Sequence, residues 1–364
     1  MVLGAEQAHA RLAEAMRTGL VLSLGERYRF LHDRVQEAAY LLIPQEQRAA
    51  IHLKIGRLLV SQMAKEQVNE HVFEIVNQLN QGVALMLDPG EKEALCLLNF
   101  RAGTKAKSAV AYASARSYLA QATALLPPDA WSVRYADTFE IFIEQFECEY
   151  LVGAFASADR LFEVILDHAQ SNLDRARVYC LSMRLYQLSG RYDEALRVAL
   201  EALRFFDVAF PDTNEELMAV LQAENQEILV SLRGRSIASL VDAPVAGDRD
   251  VRAIIGLLAD AMPIAYSVRP FMFPVLVVKA LNFSLRYGNT EESCFAYTCY
   301  GVMQVSIFGD IPSAVHLGLH ADPAKQVVLD ELQRRYPPTA GSSQPAAVVI
   351  STGQPMLFPT VSSF

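Results

Sequence analysis
From Pro44 onward, apolar side chains recur every three or four residues, the spacing that turns one side of an α-helix toward a core. Ile51, Ile55, Leu58, Leu59 and Met63 make the first such stripe, and Val68 to Met86 continues it. Asp88-Pro89-Gly90 breaks the run, because proline and glycine oppose helix continuation. Helices are predicted over Glu91–Lys107 and Ala111–Leu126, the second ended by Pro127-Pro128. Phe139, Phe142, Ile143, Phe146 and Tyr150 form one apolar face of a further helix. Ahead of Pro44 the pattern changes. A short helix without a start signal is expected within residues 1–19, and Leu20–Leu24 and Arg27–Leu31 read as two short strands about Gly25-Glu26. Asp33 is placed to cap a helix over Arg34–Ile43, which Pro44 ends.

Between Glu149 and Phe206 two passages share a layout. Gly153 is followed by Phe155 and Ala158; Gly190, 37 residues later, is followed by Tyr192 and Ala195 at the same offsets. Glycine ends one helix where the backbone must turn, the aromatic fills the corner, and the small alanine lets the next helix lie close. Tyr112, Ala115, Leu119 and Ala122 match the second-helix part of this layout and read as a third, degenerate unit. A repeat of this length points to stacked helix pairs, since one pair cannot bury its apolar side alone. The fold class expected is mainly α: a TPR-like helical-repeat superhelix, with a small winged-helix remnant in front and a truncated α/β sensor-like tail behind.

Beyond Pro211, helices are expected over Glu215–Leu232 and Arg249–Ala261, with a loop at residues 242–248 between them. Residues 263–309 are apolar and aromatic, punctuated at Gly288-Asn289 and Gly309-Asp310 like further helix-pair turns. The stripe from Tyr266 to Tyr300 reads as core, or as an exposed groove for a partner peptide. After Pro312 the character shifts: Ala314–Leu319 reads as a strand, Pro323–Arg335 as a helix, and Val348–Ile350 and Met356–Phe358 as strands. The domains expected are 1–43, 44–310 and 311–364.

Composition narrows the function. A net charge of −9 leaves no basic surplus to neutralise phosphates, so nucleic acid is not the expected partner. The five cysteines stand in apolar helical runs without C-x-x-C spacing, the pattern of reduced, buried thiols in a cytoplasmic protein. Glu6, Arg11 and Glu14 interrupt the N-terminus before a signal peptide forms, and the run Pro270–Val278 is too short to cross a bilayer. No membrane insertion is expected.

Several passages together resemble a known family. Residues 28–40 (Tyr28-Arg-Phe-Leu-His32-Asp33 through Tyr40), Ile43-Pro44, and residues 51–57 resemble the end of the ATPase module in large bacterial signalling kinases. Leu98-Asn99-Phe-Arg101-Ala-Gly103-Thr-Lys105 and Leu285-Arg-Tyr287-Gly288-Asn289 do so too. In that family a serine/threonine kinase, an AAA-type ATPase, a helical repeat region, a GAF domain and a histidine kinase share one polypeptide. The tail, through His320-Ala-Asp322-Pro323, residues 334–338 and Thr352-Gly353-Gln-Pro355, resembles the opening of a GAF or PAS-like sensor segment. The resemblance implies a non-catalytic connector that contacts protein domains of a signalling kinase. Its alternatives are a fragment of a sensor histidine kinase or AAA ATPase whose catalytic domains lie elsewhere, and the ligand-sensing region of a transcription-regulator ATPase.

The chain carries no P-loop, no kinase H-R-D or D-F-G element and no ATP-binding glycine box of a histidine kinase, so no cofactor is expected. The sharpest candidate is His32-Asp33, which resembles a His-Asp pair that approaches bound nucleotide phosphates; imidazole suits nucleotide sensing because it donates hydrogen bonds and changes charge near neutral pH. The plainer reading is favoured here, since no phosphate loop completes a site: Asp33 caps a helix and His32 packs beside it. His52, His71 and His168 lack a second ligand at metal spacing, and Arg101, Lys105 and Lys107 read as a solvated basic face.

Overall fold
The computed structural model describes residues 5–24, 27–232 and 243–306, and the three sets of expectations for residues 311–364 lie outside them. The protein is mainly helical. Helix α1 (Ala5–Arg17) leads into strands β1 (Val21–Leu24) and β2 (Arg27–Phe30), an antiparallel pair with Val21 opposite Phe30 and Leu24 opposite Arg27. Then follow α2 (Asp33–Leu41), α3 (Gln45–Gln62), α4 (Lys65–Glu70), α5 (Val72–Gln81), a 3-10 turn at Val83–Leu85, α6 (Pro89–Ser108), α7 (Tyr112–Ala124), the one-turn α8 (Ala130–Val133) and α9 (Tyr135–Leu151). Helices α10 (Phe155–His168), α11 (Asn172–Leu188), α12 (Tyr192–Arg204), α13 (Asn214–Ser231), α14 (Arg249–Val268), α15 (Phe273–Tyr287) and α16 (Ser293–Ser306) complete the described chain.

Two compact units divide it, residues 1–148 and 149–364. In the first, Leu53 of α3, Ile75 and Val76 of α5 and Leu95 and Ala102 of α6 share a core. Helices α6 and α7 lie close because Gly103 faces Leu119: a Cβ on Gly103 would stand 2.5 Å from Leu119 Cγ. In the second unit a larger core joins α11 through α16, with Met183, Ala199, Leu258, Val275, Leu281 and Tyr300 inside it. Several buried polar groups there are paired: the Tyr300 hydroxyl donates to Asn225 Oδ1 at 2.7 Å, and Ser284 and Ser293 hydroxyls lie 2.7 Å apart, while Gln304 Nε2 has no partner among the described residues.

Several elements differ from the sequence expectation. The stretch 68–86 is two helices and a 3-10 turn, because the chain leaves helical geometry at His71 and again at Gly82. Helix α14 does not stop at Ala261 but runs through Pro263. Proline inside a helix costs about 3 kcal/mol; Ile264 and Ala265, both fully buried beyond it, offset that cost by holding the last turn in the core. By length and composition α14 would also reach across a bilayer, and ten of its residues are buried against protein. Asp33 is not a cap. It is the first helical residue of α2; His32 occupies the cap position in extended geometry and makes no side-chain cap bond.

Candidate functional site
The best-defined local device is the joint between consecutive helices. At Gly153, φ is +79°. Its N–H donates to Tyr150 O and the next N–H, of Ala154, to Glu149 O, both at 2.9 Å. This pair of bonds is a Schellman closure, which satisfies carbonyls that a helix end leaves free. Gly190, with φ +76°, repeats it through Gln187 O and, from Arg191, Tyr186 O. In both joints the residue after the glycine closes one helix and starts the next: Ala154 (φ −84°, ψ 56°) and Arg191 (φ −88°, ψ 64°) have almost the same backbone. Five residues past each glycine, Ala158 and Ala195 are fully buried. Both aromatics are exposed: Phe155 meets the Tyr150 ring edge-on at 4.8 Å between centroids, and near Tyr192 the Tyr186 ring lies under the Arg191 guanidinium.

A third joint of the same geometry lies ahead of Tyr112, where glycine is missing. Val110 takes φ +63°; its N–H bonds Lys107 O and that of Ala111 bonds Ala106 O, both at 2.9 Å. Ala111 (φ −85°, ψ 60°) starts α7, and Ala115, five past Val110, is fully buried. The offsets to Tyr112 and Ala115 were the readable signal; a valine in left-handed backbone was not.

His32 and Asp33 are both exposed at the start of α2, and the His32 carbonyl accepts the N–H groups of Val35 and Gln36. His52 is held between the Tyr40 hydroxyl at 3.1 Å and Gln78 Oε1 at 2.7 Å. His71 lies 3.4 Å from Glu74, and His168 Nδ1 2.8 Å from Val164 O. Among the described residues no three His, Cys, Asp or Glu side chains gather as metal ligands would.

Of the basic residues of α6, Arg101 and Lys105 are exposed, as expected, though each has a protein partner, and Lys107 is half-buried. Lys107 reaches Glu144 and Glu147 of α9 at 2.6 and 2.7 Å. Burial works against its charge, but these two bonds outweigh it and raise its pKa. Lys105 donates to the carbonyls of Asn69 and Glu70, the last residues of α4, and Arg101 to Asn69 Oδ1. Cations at a helix C-terminus satisfy its free carbonyls and favour its dipole.

In the second unit a concavity of about 380 Å³ opens between α13 and α15. Glu224 is bound there by Lys279 (2.7 Å) and Asn282 (2.6 Å), and Glu227 by Arg286 (2.9 Å), with Phe283 and Tyr287 forming its aromatic wall. Glu224, Glu227, Lys279 and Arg286 are thus spent on each other across the two helices. Burial pushes the thiol of Cys96 up to about 11 and those of Cys180 and Cys299 to about 12, away from the reactive thiolate. Taken together, these features define a mainly helical protein of antiparallel hairpins, and its similarity relates it to a region of a signal-transduction kinase. Over 342 aligned residues it is 27% identical to hybrid signal transduction histidine kinase G of Dictyostelium discoideum, an alignment covering 82% of this chain and 10% of that protein. The chain therefore spans about a tenth of that relative's length. No protein-family model matches it, and no solved structure does.

Proposed function
We propose that this chain is a TPR-like helical connector of a multidomain signalling kinase, and that it works by contacting other protein domains. The alignment with the hybrid histidine kinase over most of the chain carries the reading. Three closely matching joints, at Val110, Gly153 and Gly190, support the repeat character, because stacked hairpins of this kind present surface rather than chemistry. The absence of P-loop and kinase sequence motifs supports a role beside catalysis rather than in it.

Two measurements test this. Purified chain incubated with magnesium and ATP is expected to release no phosphate above buffer background and to take up none; turnover by the chain alone overturns the connector reading in favour of an enzyme. Excision of the aligned segment from the Dictyostelium kinase is expected to change its autophosphorylation level in cells. An unchanged level would remove the connector role.

A further inference from the structure
The concavity between α13 and α15 keeps one charge that its own lining does not balance. Its third wall is the turn after α12, from Asp207 to Ala209. Asp207, Glu224 and Glu227 bring three carboxylates to the lining, Lys279 and Arg286 two cations, so one negative charge is left. Glu224 is satisfied at both oxygens, Oε1 by Lys279 and Oε2 by Asn282. Arg286 takes Glu227. The surplus therefore falls on Asp207, which is exposed and, among the described residues, takes part in no ion pair.

The backbone fixes where this carboxylate starts from. Asp207 N–H donates to Arg204 O and Val208 N–H to Leu203 O, both at 3.1 Å, the same closure as at the three joints. Asp207 takes φ +59° at the position where two of those joints have glycine, and Val208 beyond it is buried. It thus stands just past the C-terminus of α12, at the negative end of the helix dipole, where a carboxylate deepens the negative potential and a cation is favoured. Half-buried Phe283 and exposed Tyr287 line the same concavity with ring centroids 5.9 Å apart, and ring faces attract cations as well.

We propose that this concavity binds a small organic monocation, an amine whose ammonium pairs with the Asp207 carboxylate and whose hydrocarbon body lies on Phe283 and Tyr287. An anion is disfavoured because Lys279 and Arg286 are already engaged, and a second positive charge on the ligand would meet no further unpaired carboxylate. The volume of about 380 Å³ stands at the lower end of small-molecule sites, about 300–1,000 Å³, and limits the ligand to the size of a simple aromatic amine. Such a site goes beyond the connector role and does not depend on it.

Phenethylammonium chloride is the probe. Calorimetric titration of the full chain is expected to show saturable one-to-one binding in the millimolar range, as befits a ligand of about nine heavy atoms. 2-Phenylethanol, which keeps the body and loses the charge, is expected to bind about ten-fold more weakly, the usual effect of one hydrogen bond to a charged group. Asp207→Asn keeps the turn, because asparagine tolerates left-handed backbone. It is expected to lose the same factor for the amine and none for the alcohol, with unchanged helical circular dichroism. Tyr287→Ala is expected to weaken both ligands. N-acetyl-lysine amide carries the ammonium on a peptide-like body without a ring and is expected to bind more weakly than the probe; equal or tighter binding overturns a free amine as the ligand in favour of a protein side chain. An amine that does not saturate at tens of millimolar, an alcohol that matches it, or an Asp207→Asn variant that binds it unchanged overturns the proposal.

Discussion
Val110 shows how a single residue can be forced into a conformation its side chain opposes. A left-handed backbone costs a β-branched residue about 1–2 kcal/mol, and Val110 gains nothing in return from packing, since its side chain is 68% exposed. The two main-chain bonds of the closure and the buried Ala115 on the far side hold it there. Val110→Gly is therefore expected to stabilise the protein by about 0.5–1 kcal/mol, the relief exceeding the added freedom of the unfolded chain. Thermal unfolding checks it; an unchanged or lower midpoint would show that the turn is not strained. Lys105 acts at the same scale, closing the end of α4 with its ammonium where no glycine or capping side chain stands.

Between neighbouring helices, separation is set by the smallest residue at the contact. Gly103 lets α7 approach α6 through Leu119, so Gly103→Ala is expected to cost about 1–3 kcal/mol through overpacking. Chemical denaturation measures the loss, and a variant as stable as the parent would mean that Leu119 simply moves aside. The helices themselves were readable, because their apolar period survives in the sequence: α6, α7 and α13 fall within a few residues of the expected ranges. Glycine made the joints at 153 and 190 readable too. What sequence could not give were effects that depend on distant contacts. Continuation of α14 through Pro263 depends on a core assembled from other helices, and the break at His71 has no breaker residue to announce it. The partners of the basic residues of α6 were not legible, because Asn69, Glu70, Glu144 and Glu147 are remote along the chain or unremarkable in it.

For the molecule as a whole, one buried carboxylate makes stability vary with pH. Asp260 of α14 is bridged to Arg184 of α11 at 3.1 Å. Burial raises its pKa above the ordinary 3.8, and Arg184 only partly offsets this. The unfolded chain then loses the Asp260 proton first, so stability declines as pH rises out of the acid range through the ordinary carboxylate value, and the decline persists above the raised one. Asp260→Asn, which cannot ionise, is expected to gain in melting temperature over the parent as pH rises from the acid range above the ordinary carboxylate value. A difference that stays constant with pH would show that Asp260 titrates alike in the folded and unfolded chain.

The shared joint of these hairpins has one more consequence. Its shape is written in main-chain angles and main-chain bonds, with one residue ending a helix and beginning the next, so only the alanine five positions on has a side chain that the geometry restricts to be small. A chain closed this way is free to vary at many outward positions while each joint keeps its form. At position 110 the same joint stands with valine where the other two have glycine.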